Sequence, residues 1–174
     1  LDAVALAHML TMGGLEVESM SILQARFSNV VVGRVLSARP HPNADRLQVC
    51  EVDDGSGEIL TIVCGAPNVA AGMNSACARV GATLPRMDIA KAKVRGVESH
   101  GMLCSARELG VSDEADGIMV LDAALSPGAA LDELLGLPDT VLTLKLTPNR
   151  ADCQGMLGVA RELSALSGAD LSVP

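Results

Sequence analysis

Aromatic side chains are almost missing from this chain. Phe27 is the only one among 174 residues, and there is neither Trp nor Tyr. Domains that hold single-stranded nucleic acid by stacking bases on rings gain about 1–3 kcal/mol per base from that device. Without rings the device is unusable, which excludes tight binding to bare single strands. A basic excess is missing too: 13 Lys and Arg stand against 21 Asp and Glu, a net charge of −8, the reverse of the usual nucleic-acid footprint. No apolar run approaches the roughly 20 residues that span a bilayer, and no basic-then-apolar leader opens the sequence. A cytoplasmic protein without membrane contact is therefore expected. The five cysteines (Cys50, Cys64, Cys77, Cys104, Cys153) form no C-x-x-C pair, and His8, His41 and His100 fall in no metal-ligand spacing. That excludes a zinc ribbon or finger and points to reduced thiols inside the fold. Nucleotide-binding loops and acid–base constellations are also missing, so no catalytic residue and no cofactor are expected of this chain by itself.

What is present is 49% hydrophobic residues, enough for one large or two small domains with real cores. The chain is organised around Val30–Val52. Val30, Val31, Val32 and Val35 favour a packed, pleated strand, and a second strand alternates Leu47 and Val49 against Gln48 and Cys50. Between them lies a corner built from Pro40, His41, Pro42, Asn43, Ala44 and Asp45. Two prolines fix φ and remove two donors, so neither strand is expected to run through them, and Asn43 and Asp45 suit the local backbone bonds of a turn. Arg46 leaves the corner beside the second strand.

The flanks divide differently. Residues 1–12 place apolar groups at helical spacing, with Gly13 and Gly14 as the stop,. A half-buried strand starts near Leu15, with Glu16 and Glu18 on a solvated face. Near the other end, Leu142, Leu144 and Leu146 alternate with polar residues, and this strand is expected to pair with 15–20. A polar corner, 147–152, follows. Asp152 is the expected N-cap of a last helix whose apolar face carries Met156, Val159 or Ala160, Leu163 and Leu166,. Arg150 and Asp152 read as an ion pair or capping network that docks this helix.

Between the flanks, Asp53-Asp54-Gly55-Ser56-Gly57 reads as a solvated turn tip, and 59–64 and 75–80 read as strands. In 89–96, Lys91, Lys93 and Arg95 alternate with Ala90, Ala92 and Val94. A strand there would align three positive charges over roughly 13 Å, with the small residues facing inward. Alternate side chains, roughly 6.6–6.8 Å apart, match the spacing of phosphates along a strand; the competing reading is a lysine-protected sheet edge. From 28 to 126 the acids number 12 against 9 basic residues, so any positive surface is a local patch. Three or so phosphate contacts correspond to a log–log salt slope of about −2 on single-stranded regions.

Three separated blocks carry a family resemblance: HPNADRLQV (41–49), IVCGAPNV (62–69) and SHGMLCS (99–105). They resemble the tRNA-binding domain of the oligonucleotide-binding (OB) barrel type. That module occurs in free-standing tRNA-binding proteins, in tails of some methionyl-tRNA synthetases and in the bacterial phenylalanyl-tRNA synthetase β subunit. TMGGLEVES (11–19) and LTPNRADCQGMLGVARELSAL (146–166) look like the β subunit. The resemblance implies an α+β fold with a five-stranded OB-type barrel, 28–126, inserted into a small unit formed by 1–27 and 127–174. It implies candidate RNA-facing residues Ser99 and Met102, beside Arg46, Lys91, Lys93 and Arg95. Family members of this type commonly carry Glu where His100 stands. The resemblance further implies membership in a phenylalanine–tRNA ligase, with a phenylalanine-accepting tRNA and a synthetase α subunit as partners in an α2β2 assembly. ATP and magnesium belong to that whole enzyme and not to this fragment. Two alternatives stay open: a structural or protein-docking barrel with little RNA contact, and a free-standing type of tRNA-binding protein.

Overall fold

The computed structural model describes residues 2–173. Helix α1 (Ala3–Met12) and strand β1 (Glu16–Leu23) come first. Four longer strands follow, β2 (Ser28–His41), β3 (Ala44–Asp53), β4 (Ile59–Cys64) and β5 (Asn74–Leu84). Next come the short strands β6 (Met87–Asp88), β7 (Ala92–Val94), β8 (Val97–Ser99) and β9 (Met102–Leu103), and helix α2 (Ala106–Leu109). Strand β10 (Val120–Leu121), helix α3 (Leu131–Leu134), strand β11 (Asp139–Lys145), a 3-10 stretch over Pro148–Cys153 and helix α4 (Met156–Ser167) complete the chain. The class is α+β and mostly sheet. No helix among the described residues is long and apolar enough to cross a membrane.

Backbone contacts separate two units, Gln24–Leu137 and a discontinuous unit of Leu1–Leu23 with Pro138–Pro174. In the first, seven strands form an open sheet of order β10-β5-β2-β3-β4, with β6 and β9 also paired to β5. Strand β2 is central because it is buried on both faces. Val30 joins one core cluster with Phe27, Ala76, Ala78, Leu84 and Leu109, while Val31 and Val35 join another with Cys50, Val52, Ile62 and Cys77. Each buried valine removes apolar surface worth roughly 1.5–3 kcal/mol from water. Strand β5 feeds the same two clusters from alternate positions, so Asn74 to Ala78 are all buried.

Two details depart from the sequence reading. Strand β2 does run through Pro40, to His41. It pairs with β5 only over Ser28–Arg34, so around Pro40 only β3 flanks it, and a register shift at Pro40/His41 accommodates the missing donor. Asp54 is not a solvated tip residue. It is 2% exposed, and its carboxylate accepts from Arg79 Nε at 2.6 Å while its carbonyl accepts from Arg79 Nη2 at 2.6 Å. Burial raises the Asp54 pKa, but hydrogen bonds from Ser56 and Arg79 and the Arg79 charge outweigh it and hold the carboxyl below its ordinary value,.

In the discontinuous unit, β1 and β11 pair antiparallel from Glu16↔Lys145 to Leu23↔Asp139. Leu10, Leu15 and Cys153 form its core, with Leu142, Leu144, Val159 and Leu163 packed against them. Asp152 does not cap the last helix; Gly155 does, without a side-chain bond, because Pro148 starts a 3-10 stretch that carries the chain past Asp152 first. Met156, expected on the apolar face, is 85% exposed. Arg150 is the hub of this corner. Its guanidinium donates to Gly13 O at 2.7 Å and lies 2.8 Å from Glu162 Oε2 and 3.4 Å from Asp152 Oδ2.

Candidate nucleic-acid interface

The expected eight-residue strand carrying three aligned cations is a three-residue strand and a tight turn. Strands β7 and β8 pair as Ala92↔Ser99, Lys93↔Glu98 and Val94↔Val97, leaving Arg95 and Gly96 as a two-residue loop. Both have positive φ, +48° and +98°, as a hairpin turn of the I′ kind requires. Glycine meets that demand freely; Arg95 meets it at a cost in strain. Arg95 therefore sits at the tip and not in a row with Lys91 and Lys93. Ala90 and Ala92 are exposed and only Val94 is half-buried, so the small residues do not form an inward face. Lys91 Nζ lies 3.0 Å from Glu98 Oε2. The Lys91 hydrogen bond, then its charge, holds the Glu98 carboxyl below its usual range. Arg46, Lys93 and Arg95 are exposed, and among the described residues their side chains make no hydrogen bond or ion pair.

The hairpin is pinned to the corner between β2 and β3. His41 is 5% exposed, and its Nδ1 accepts from the Asn43 backbone N–H at 3.0 Å. That bond leaves the ring proton on Nε2, which lies 3.1 Å from the Val94 carbonyl oxygen and donates to it. Asn43 Nδ2 donates to Arg95 O at 3.1 Å. The carbonyl before the hairpin bend, of Val94, and the first one within it, of Arg95, are thus both held by the corner. The sequence reading saw His41 and Asn43 only as turn residues. The usable signal was the pairing of a polar corner with an Arg-Gly turn some 50 positions later, which no local pattern reveals.

Ser99 and Met102, the RNA-facing candidates that the resemblance implies, lie on β8 and β9. Ser99 is 5% exposed; its hydroxyl accepts from Val63 N–H at 3.0 Å and donates to Gly101 O at 3.0 Å. It ties β8 to β4, and both its bonding roles are filled. Met102 is half-buried and packs on the cluster containing Phe27. His100, the departure from the family pattern, anchors through its backbone N–H to Thr61 O at 2.8 Å, while its ring stands 3.9 Å from Glu98.

Cys104 is fully buried, and burial, then the Glu108 charge, pushes its thiol up to about 12, so it is no nucleophile near neutral pH. Asp152, Cys153 and Glu162 present ligand atoms within 4.8 Å of one another, but the Arg150 guanidinium already serves them, with Nη2 3.1 Å from Cys153 Sγ. A protein cation fills that cluster, which does not suit a metal ion.

The family model for a putative tRNA binding domain matches residues 30–130 of the chain. Over all 174 residues the chain is 56% identical to a phenylalanine–tRNA ligase β subunit of Thiobacillus denitrificans, of which it covers 22%. It is 59% identical over 170 residues to that of Bordetella pertussis, covering 97% of this chain and 21% of the relative. The chain thus spans about a fifth of the length of the curated relatives it matches. Among solved structures, the C-terminal domain of Plasmodium vivax p43 aligns with a TM-score of 0.44 and 20% identity, covering 60% of this chain and 58% of that one.

Proposed function

We propose, since this chain belongs to the putative tRNA-binding domain family and matches phenylalanine–tRNA ligase β subunits along its whole length, that it is a non-catalytic tRNA-binding and assembly module of such a ligase. The observation that carries the reading is the corner itself: Arg46, Lys93 and Arg95 are unpaired, and two hydrogen bonds hold the hairpin bearing two of them. Three exposed cations on a held support suit a phosphate backbone,. Lys91 is a weaker contributor because Glu98 competes for it. We read the sheet of the central unit as the five-stranded OB-type barrel, and the central unit as an insertion in the outer one.

In this reading the partners are a phenylalanine-accepting tRNA and the α subunit of an α2β2 enzyme in the cytoplasm. ATP and magnesium serve that whole enzyme. Among the described residues the cluster of Asp152, Cys153 and Glu162 is served by Arg150. Ser99 contributes by fixing β8, not by touching RNA.

Titration of the chain with tRNA across a salt series tests the reading. Replacing Arg46, Lys93 and Arg95 together by Ala should reduce the magnitude of the log–log salt slope by about 2, from about 0.7 per lost contact, while thermal unfolding stays unchanged. The rival, a docking domain with little RNA contact, gains from the missing aromatics and the net charge of −8. It stands if the triple variant binds tRNA as the parent does at low salt.

A further inference from the structure

Between residues 24 and 137, Arg34, Arg39, Arg79 and Lys91 are tied to neighbouring groups. Six further cations have no side-chain partner among the described residues. Three are those of the corner. The other three, Arg26, Arg86 and Arg107, line one open concavity of about 380 Å³ together with Ser112 and Asp113. We propose that this concavity is a second contact for the phosphodiester backbone of RNA, a proposal that rests on the tRNA-binding reading above.

The three arginines come from separate parts of the chain. Arg26 precedes β2, Arg86 sits in the turn between β5 and β6, and Arg107 lies on α2. Each is one or two residues from a core anchor, Phe27, Leu84 and Leu109, and these three belong to one buried cluster. Gly110, left-handed at φ +70°, ends α2, and a Cβ there would lie 3.2 Å from Pro85 Cγ and 3.4 Å from Arg26 Cδ. Gly110 therefore packs against both Pro85 and Arg26, which brings the supports of the three arginines to one concavity that all three line. Against three positive groups the lining offers one carboxylate, Asp113. All three arginines are exposed, and none has recruited an acid in a domain richer in acids than bases. Guanidinium forks match phosphate oxygens two at a time, and an open, polar, ring-free concavity reads backbone and not base.

The place is distinct from the corner. Arg26, Arg86 and Arg107 stand before β2, between β5 and β6 and on α2, while Arg46 is on β3 and Lys93 and Arg95 are on the β7–β8 hairpin, so the two sets share no residue and no element. The two sets of cations act as separable contacts.

The test compares three proteins in tRNA titrations over a salt series: the parent chain, the corner variant, and a variant with Arg26→Gln, Arg86→Gln and Arg107→Gln. The pocket variant should lose about 2 from the magnitude of the slope and bind at least tenfold more weakly at low salt, with its melting temperature unchanged. A labelled poly-glutamate peptide is titrated in parallel and should bind the parent and the pocket variant equally weakly. Unchanged tRNA slope and affinity in the pocket variant, with the corner variant impaired, overturns the second contact alone. The converse result keeps the concavity and removes the corner reading. No tRNA binding by the parent at low salt defeats both. If the pocket variant loses poly-glutamate and keeps tRNA, the site takes an acidic protein segment and the proposal is wrong.

Discussion

Replacing Arg79 by Ala should lower the stability of the 24–137 unit by about 3 kcal/mol, because it strands a buried carboxylate. Asp54 is 2% exposed, and Arg79 supplies it with one bond to a carboxylate oxygen and one to the main-chain carbonyl, both at 2.6 Å. Removing the guanidinium leaves that carboxylate to Ser56 alone. The pH dependence carries the sign. In the parent, Asp54 titrates below its ordinary value of 3.8. Its stabilising share is thus complete above that value and is lost as pH falls through the lower folded value. In the variant, burial is no longer opposed by Arg79, the folded pKa rises, and protonation relieves the penalty. The gap between parent and variant, measured as urea midpoints, should be wide at pH 7 and shrink on acidification toward pH 4. Equal midpoints at pH 7 would show that Asp54 is solvated after all. Asp54→Asn on the Arg79→Ala background should recover much of the loss.

His41→Ala should release the hairpin that carries Lys93 and Arg95. The substitution leaves the Asn43 N–H and the Val94 carbonyl without partners and opens space where the ring was, together about 2–4 kcal/mol against the pinned state. Most of that falls on the local opening of 92–99, which is short and makes only a three-pair ladder of its own. Amide exchange in β7 and β8 should speed up at least tenfold while the amides of β2 and β5 keep their protection. Affinity for tRNA should fall with it, since cations on a loose hairpin must be ordered on binding. His41→Gln, whose side-chain amide can still donate to Val94 O, should restore part of both. Unaltered exchange in β7 and β8 of the Ala variant would mean that the hairpin needs no clasp.

The parts of the fold that a sequence pattern reveals are those whose cause is local. The β1–β11 pairing follows from alternating Leu142, Leu144 and Leu146. The errors have one physical source. A run such as Ala90–Arg95 has the period of a strand, but period cannot show that Arg95 takes positive φ, because the turn is fixed by Asn43 and His41 from 52 and 53 positions away. Asp54 looked solvated for the same reason: its partner, Arg79, lies 25 positions on. Ser99 was legible as part of a motif, yet only the fold shows that its hydroxyl is consumed by Val63 and Gly101. Of the candidate contact residues, Arg46, Lys91, Lys93 and Arg95 are exposed, Met102 is half-buried and Ser99 is buried. The concavity of Arg26, Arg86 and Arg107 gave no sequence signal, since its members are spread over about 80 positions with no period.

The five buried thiols turn the chain into its own recorder of opening. All are free and buried. Burial above all pushes Cys50 up to about 11 and Cys77 and Cys104 up to about 12, and Cys64 and Cys153 upward as well. An alkylating reagent at neutral pH meets almost no thiolate until the surrounding structure lets water in. Cys153 belongs to the discontinuous unit and the other four to Gln24–Leu137. The rate at which each sulfur is trapped therefore times the breathing of its own unit, without any label being added, and mass spectrometry of one sample reads both clocks at once.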